Sequence, residues 1–141
     1  MCIRDRFEHW DGTAWTPTLV PLGGTAFAAF SDATNDVWAV GFSGLSSAQA
    51  STFVAHYNGA TWQSVPSPNV GNSSAFNGVV ALASNNVWAV GSSSLLDDVL
   101  FAGVVTAPGR VWIVGSEDDA APNKPIGGTL AITTAASAGS I

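Results

Sequence analysis

Few side chains in this sequence are equipped for chemistry, so each can be weighed by its type and spacing. The two histidines, His9 and His56, are the acid–base or metal-ligating candidates, because imidazole titrates near neutral pH and binds divalent transition metals. Each opens a similar segment, His9-Trp10-Asp11-Gly12 and His56-Tyr57-Asn58-Gly59. A residue that returns at the same place in a repeated segment points to a structural role, and neither histidine has further ligands at a spacing that completes a metal site. The clustered carboxylates, Asp97-Asp98 and Glu117-Asp118-Asp119, are sequence neighbours among Gly, Ser and Pro. Paired acids hydrolyse glycosides or hold calcium when they face each other across a site; adjacent ones in this setting read as solvated loop. Gly41-Phe42-Ser43-Gly44 lacks the G-x-S-x-G spacing of a nucleophile elbow. The expectation is no catalytic residue, no metal site and no cofactor, with the ligand-binding residues left unmarked by the sequence.

Charge narrows the partners. The chain has a formal net charge of −6, and beyond the first six residues its fixed cations are Arg110 and Lys124. Phosphate-backbone binding needs several Lys or Arg to neutralise several phosphates, so a nucleic-acid partner is not expected. The same scarcity argues against an anionic membrane surface. Apolar runs are interrupted by Gly, Pro, Ser, Asn or charge before they reach a spanning length, so no membrane insertion is expected.

Hydrophobic residues make up 47% of the 141-residue chain and charged residues 10%, a balance that favours a packed fold over disorder. Fifteen Gly, seven Pro, six Trp and seven Phe, with few long charged helix formers, predict an all-β protein.

The chain repeats itself, and a fixed period identifies architecture before any element is assigned. One module, His9-Trp10-Asp11-Gly12-Thr13-Ala14-Trp15, returns 47 residues on as His56-Tyr57-Asn58-Gly59-Ala60-Thr61-Trp62. A second, Thr34-Asn35-Asp36-Val37-Trp38-Ala39-Val40-Gly41, returns 50 residues on as Ser84-Asn85-Asn86-Val87-Trp88-Ala89-Val90-Gly91. A third copy, Val111-Trp112-Ile113-Val114-Gly115, follows after only 24. The modules alternate, so one unit spans about 48 residues, close to a four-stranded propeller blade of roughly 40 to 50.

Each module reads as a β-hairpin, with Asp11-Gly12 and Asn58-Gly59 as turn dipeptides that tolerate positive φ. Asn35-Asp36, Asn85-Asn86 and Pro108-Gly109 punctuate the other hairpin. Val37-Trp38-Ala39-Val40 and Val111-Trp112-Ile113-Val114 are apolar on both faces, which predicts inner strands covered by sheet on both sides. Trp15-Thr16-Pro17-Thr18 and Trp62-Gln63-Ser64-Val65 are half polar, and Pro17 donates no ladder hydrogen bond, so outer edge strands are expected there. One or two Trp rings per hairpin are expected to supply much of the packing between sheets.

These residues resemble the kelch repeat family and its bacterial secreted relatives. A kelch strand of the form i-Y-v-i-G-G, then v-x-x-Y-D separated by five residues from W, then a small-residue and Pro segment, is similar to three stretches here. They are Val37-Trp38-Ala39-Val40-Gly41, Phe53-Val54-Ala55-His56-Tyr57-Asn58 through Trp62, and Val65-Pro66-Ser67-Pro68. The similarity covers most of residues 7–115. It departs where kelch units carry Gly-Gly, since Phe42, Ser92 and Ser116 follow the single glycines Gly41, Gly91 and Gly115. The short third interval is a second departure: the His-Trp-Asp-Gly hairpin is missing after Gly91, either by natural loss or by a faulty join in the sequence. Sialidase-like propellers need an Arg cluster and S-x-D-x-G-x-x-W boxes, and kelch-type copper oxidases need Tyr, Cys and His ligands. The sequence supplies neither set.

Met1-Cys2-Ile3-Arg4-Asp5-Arg6 resembles the conceptual translation of a transposase-adaptor end used for sequencing libraries. Without it the chain has no Cys, and cysteine usage carries no disulfide or redox information. The resulting division is 1–6 as adaptor artefact, 7–134 as kelch-like repeats and 135–141 as tail or linker. The fold expected is an incomplete β-propeller of two to three four-stranded antiparallel blades, fewer than the four to eight that close a ring. The resemblance implies a non-catalytic segment of a secreted or cell-surface protein that binds a protein or carbohydrate partner and packs against missing blades of the same polypeptide. The alternative is a scaffold fragment of a secreted propeller enzyme whose active residues lie outside this chain. A tandem β-sandwich ranks below both, its unit being about 100 residues.

Overall fold

The computed structural model describes residues 6–19, 23–44, 49–94, 99–107, 110–116 and 131–133. Eleven strands run in chain order: β1 (Arg6–Trp10), β2 (Trp15–Leu19), β3 (Gly24–Ala33), β4 (Asp36–Ser43), β5 (Ser51–Tyr57), β6 (Trp62–Ser64), β7 (Ser74–Ala83), β8 (Asn86–Ser93), β9 (Val99–Ala107), β10 (Arg110–Ser116) and β11 (Ala131–Thr133). There is no α-helix among the described residues, in line with a composition rich in β-branched, aromatic and turn-forming residues. Every strand pairing is antiparallel. The sheets are β1-β2, β3-β4-β5-β6, and a third in which β8 pairs with β7 on one side and with β11 and β9 on the other, β9 continuing to β10.

The sequence repeats are repeats of register. In β3-β4, Phe30 faces Trp38 and Ala28 faces Val40. In β7-β8, Val80 faces Trp88 and Gly78 faces Val90. In β9-β10, Val104 faces Trp112 and Ala102 faces Val114. All three hairpins shift register at the same two places, one of them beside Gly41, Gly91 or Gly115. At that irregularity the partner strand presses its carbonyl onto the glycine. A Cβ on Gly41 would strike the carbonyl oxygen of Thr25, one on Gly91 that of Ala75, and one on Gly115 that of Val99. The glycine closing each V-W-A-V-like strand is therefore fixed by a β-bulge opposite it. The second module repeats equally: Trp10 faces Trp15 and His9 faces Thr16 in β1-β2, as Tyr57 faces Trp62 and His56 faces Gln63 in β5-β6.

Side chains on a strand alternate between faces, so each sheet has a front, carrying Trp38, Trp88 or Trp112, and a back. The front of β3-β4-β5 (Trp38, Val40 and Val54, with Ala28 and Phe30) packs on the back of β7-β8 (Phe76, Ala81, Val87, Ala89, Val79) as one buried cluster. The back of the same sheet (Ala39, Phe53, Ala55) is covered in part by Phe7 of β1, with Ala26 and Trp62 at its margin. Phe7 meets Trp62 edge-on at 4.6 Å. On the far side, β9 lies over β7: Asn77 Nδ2 donates to the carbonyl of Leu100 at 2.9 Å. The Gly78 backbone is close enough that a Cβ there would come within 2.7 Å of the Phe101 carbonyl oxygen. The hairpins β3-β4 and β7-β8 thus stack front to back, and β9-β10 is joined to the second of them through the pairing of Ser92 with Val99.

Several expectations need correction. Strand β4 meets the expectation of cover on both faces, with Trp38, Ala39 and Val40 all nearly inaccessible, and lies between β3 and β5. Strand β10 is not covered on both faces: Trp112 is 70% and Val114 61% exposed, because no further sheet follows it among the described residues. Trp10 and Trp15 are also exposed, so β1-β2 and β9-β10 each lack the packed Trp expected of a hairpin. Edge placement holds for β6, at the end of its sheet, and for β2, where Pro17 stands opposite Glu8.

The half-unit missing after Gly91 has a structural counterpart. Strand β11 takes the place beside β8 that β5 takes beside β4: Ala131, Ile132 and Thr133 face Val90, Ala89 and Trp88, as Val54, Ala55 and His56 face Val40, Ala39 and Trp38. A third-strand position left empty by sequence is filled from a distant stretch. Met1–Asp5, Asp97-Asp98, Pro108-Gly109, Glu117-Asp118-Asp119, Lys124 and the 135–141 tail lie outside the described residues. No helix among the described residues is long and apolar enough to cross a membrane.

Candidate functional site

His56 lies on β5 directly opposite Trp38 of β4. Its ring stacks on the indole with centroids 4.2 Å apart and planes 18° from parallel, and its Nε2 is 2.7 Å from Asp36 Oδ1. His56 thus joins the Asp36 carboxylate by a hydrogen bond and the buried Trp38 indole by stacking, a cross-strand cluster that holds β4 to β5. Trp38 Nε1 is buried and makes no hydrogen bond within the protein, whereas Trp88 Nε1 donates to Asn86 Oδ1 at 2.9 Å. Asn86 and Asp36 occupy the same repeat position; the aspartate is turned to the histidine, and the indole beside it loses its acceptor. His9 stands at the register of His56 but is exposed, with no Trp strand beside it among the described residues.

The turn residues act through their side chains as well as their backbones. Asp11 Oδ1 accepts from Thr13 N at 2.7 Å, Thr13 Oγ1 at 2.7 Å and Ala14 N at 2.8 Å. Asn58 Oδ1 accepts from Ala60 N at 3.1 Å and Thr61 N at 3.0 Å. Each loop holds four residues and not a tight two-residue turn, and the positive φ falls on Gly12 (100°) and Gly59 (91°). The Asp and Asn serve as Asx-type acceptors. The hydrogen bond from the Thr13 hydroxyl, followed by those from the Ala14 and Thr13 amides, pulls the Asp11 carboxyl down from 3.8 to about 2.

The hydroxyls of the Ser-Pro segment after β6 are committed to anchoring it. Thr52 N donates to Asn69 Oδ1 at 2.7 Å, and Thr52 Oγ1 lies 2.6 Å from Ser67 Oγ. Ser74 Oγ donates to the Val70 carbonyl at 2.7 Å. These contacts carry the chain from the edge strand β6 to β7. Among the described residues no three of His, Cys, Asp and Glu come together as a metal cluster.

Two surfaces with exposed apolar side chains stand out among the described residues. One is a hollow of about 360 Å³ on the back of β3-β4, lined by Phe7, Ala29, Val37 and Trp62 together with the charged Arg6 and Glu8. The other is the front of β9-β10, where Val104, Trp112 and Val114 are each more than half exposed, beside Phe101. Sequence reasoning missed both, because its alternation marks which residues need cover and not whether cover is present. Comparisons with protein-family models, with curated proteins and with solved structures found no match. The class that the fold defines is an all-β protein of antiparallel sheets built from repeated hairpins.

Proposed function

We propose that this chain is a run of consecutive blades of a kelch-like β-propeller, part of a secreted or cell-surface protein that binds a protein or carbohydrate partner without catalysing a reaction. The observation that carries the reading is one register repeated in β3-β4, β7-β8 and β9-β10, with the front of the first hairpin packed on the back of the second. The order β3-β4-β5-β6 is that of a four-stranded blade, and the single-Gly motif follows from the bulge geometry at the kelch Gly-Gly position. The side chains best placed for chemistry, His56 and Asp36, are engaged with Trp38 and with each other.

The architecture is tested by reading the genomic frame on both sides. Further in-phase units, enough for four to eight blades in all, are expected; a frame holding none would overturn the reading. Activity is tested by incubating the protein with a glycan array and analysing the bound glycans. Intact glycans are expected, and cleavage of any of them defeats the non-catalytic assignment.

A further inference from the structure

We infer that Asn58 is a site of spontaneous modification, where the backbone nitrogen of Gly59 displaces ammonia from the asparagine side chain and leaves aspartate or isoaspartate between β5 and β6. The step is local to that loop and independent of what the protein binds.

The chain holds two Asn-Gly pairs, Asn58-Gly59 and Asn77-Gly78. Glycine offers the least hindered backbone nitrogen for such an attack, since it carries no Cβ. The fold sets the two pairs apart. Asn58 is exposed in the loop between β5 and β6, and Gly59 is held at a φ of 91°, its carbonyl accepting from the Tyr57 hydroxyl at 3.0 Å. Asn58 Oδ1 accepts from Ala60 N and Thr61 N, whereas Asn58 Nδ2 and the Gly59 N–H make no hydrogen bond to a described residue. Two fixed donors thus polarise the carbon under attack, and they bind its oxygen more tightly as negative charge develops there. The nucleophile and the leaving group are both open to solvent.

Asn77 differs at each point. It is half-buried within β7, and Gly78 faces Val90 in the ladder. Its Nδ2, which would have to leave, donates to the Leu100 carbonyl at 2.9 Å. The backbone of Phe101 and Ala102 crowds Gly78, leaving little room for ring closure.

At Asn58, hydroxide removes the Gly59 amide proton and the nitrogen bonds to Cγ. The tetrahedral centre collapses as the Cγ–Nδ2 bond breaks, and Nδ2 takes a proton from water and departs as ammonia. Water then opens the five-membered imide. Cleavage at the former side-chain carbon gives aspartate, and cleavage at the main-chain carbonyl gives isoaspartate; the net change is amide plus water to carboxylic acid plus ammonia, with no redox step. The aspartate product fits the repeat, because Asp11 holds the equivalent position and accepts from Thr13 N and Ala14 N. Isoaspartate instead adds a methylene to the main chain between Tyr57 and Trp62, which face each other across β5-β6.

The test incubates the full chain at mildly alkaline pH, folded and in guanidinium, and maps proteolytic peptides by mass spectrometry. In the folded chain Asn58 should convert at least about tenfold faster than Asn77, the factor that one hydrogen bond of ordinary strength contributes to a barrier. Electron-transfer fragmentation should find isoaspartate beside aspartate in the product, and in guanidinium the two rates should converge. Asn58→Asp should remove the fast phase of ammonia release. Equal rates in the folded chain, or both asparagines staying intact, would overturn the inference. So would a rate difference undiminished in guanidinium, which would assign it to neighbouring sequence and not to the loop, a product free of isoaspartate, or unchanged ammonia release from Asn58→Asp.

Discussion

Asp11 and Asn58 do the same job at the same repeat position, yet only the aspartate can lose it to acid. The folded carboxyl titrates near 2, below its ordinary 3.8. Its contribution is complete above about pH 4 and disappears as pH falls through about 2, the direction expected for a depressed acid. The amide shifts of Thr13 and Ala14 should follow a midpoint near 2, while Asp11→Asn shows no such titration and Ala60 and Thr61 do not respond. The Asp36–His56–Trp38 corner makes a different demand. His56→Phe preserves the stack on Trp38 but strands the Asp36 carboxylate, at a cost of about 1 to 3 kcal/mol in chemical denaturation. Adding Asp36→Ala should recover part of that loss, because the unpaired charge then goes with its partner.

Hairpins are the elements on which the repeat acts, and the bulge opposite Gly41, Gly91 and Gly115 is their least forgiving feature. Gly91→Ala would drive a Cβ into the Ala75 carbonyl, where the obstacle is backbone and cannot rotate away. A loss of about 3 kcal/mol is expected, measured by urea unfolding. Gly103→Ala in β9 is a control, since a Cβ there finds no atom closer than 3.5 Å; its effect should be well under half as large. The sequence shows that these glycines recur, but not why: the contact is made by a strand about fifteen residues upstream whose bulge has no residue signature.

Across the whole molecule, the cluster joining the front of one sheet to the back of the next is the main connection between them. Phe76 is wholly inaccessible at its centre, packed with Trp38, Val40 and Val54 of the neighbouring sheet. Phe76→Ala should cost about 3 to 5 kcal/mol. Because the cavity is shared, amide protection should fall in β4 and β5 as well as in β7 and β8. Loss confined to β7-β8 would mean that the two sheets unfold independently.

The all-β class, the repeated hairpins, the edge character of β2 and β6 and the burial of β4 were legible in the sequence. Each follows from local rules: alternation on a pleated strand, turn chemistry and the position of proline. Local rules also placed a strand at Val111–Val114, correctly, and gave it cover on both faces, incorrectly. Apolar alternation records what a strand would bury; whether another sheet lies over it depends on residues far away in the chain. The same holds for β11, a three-residue strand whose pairing with β8 replaces the missing third strand, and for the hollow beside Phe7. The stacking direction, front onto back, was likewise decided only by tertiary structure. Each sheet presents apolar side chains on both faces, and the shapes that make Trp38 fit Val79, Val87 and Ala89 exist only once two hairpins meet.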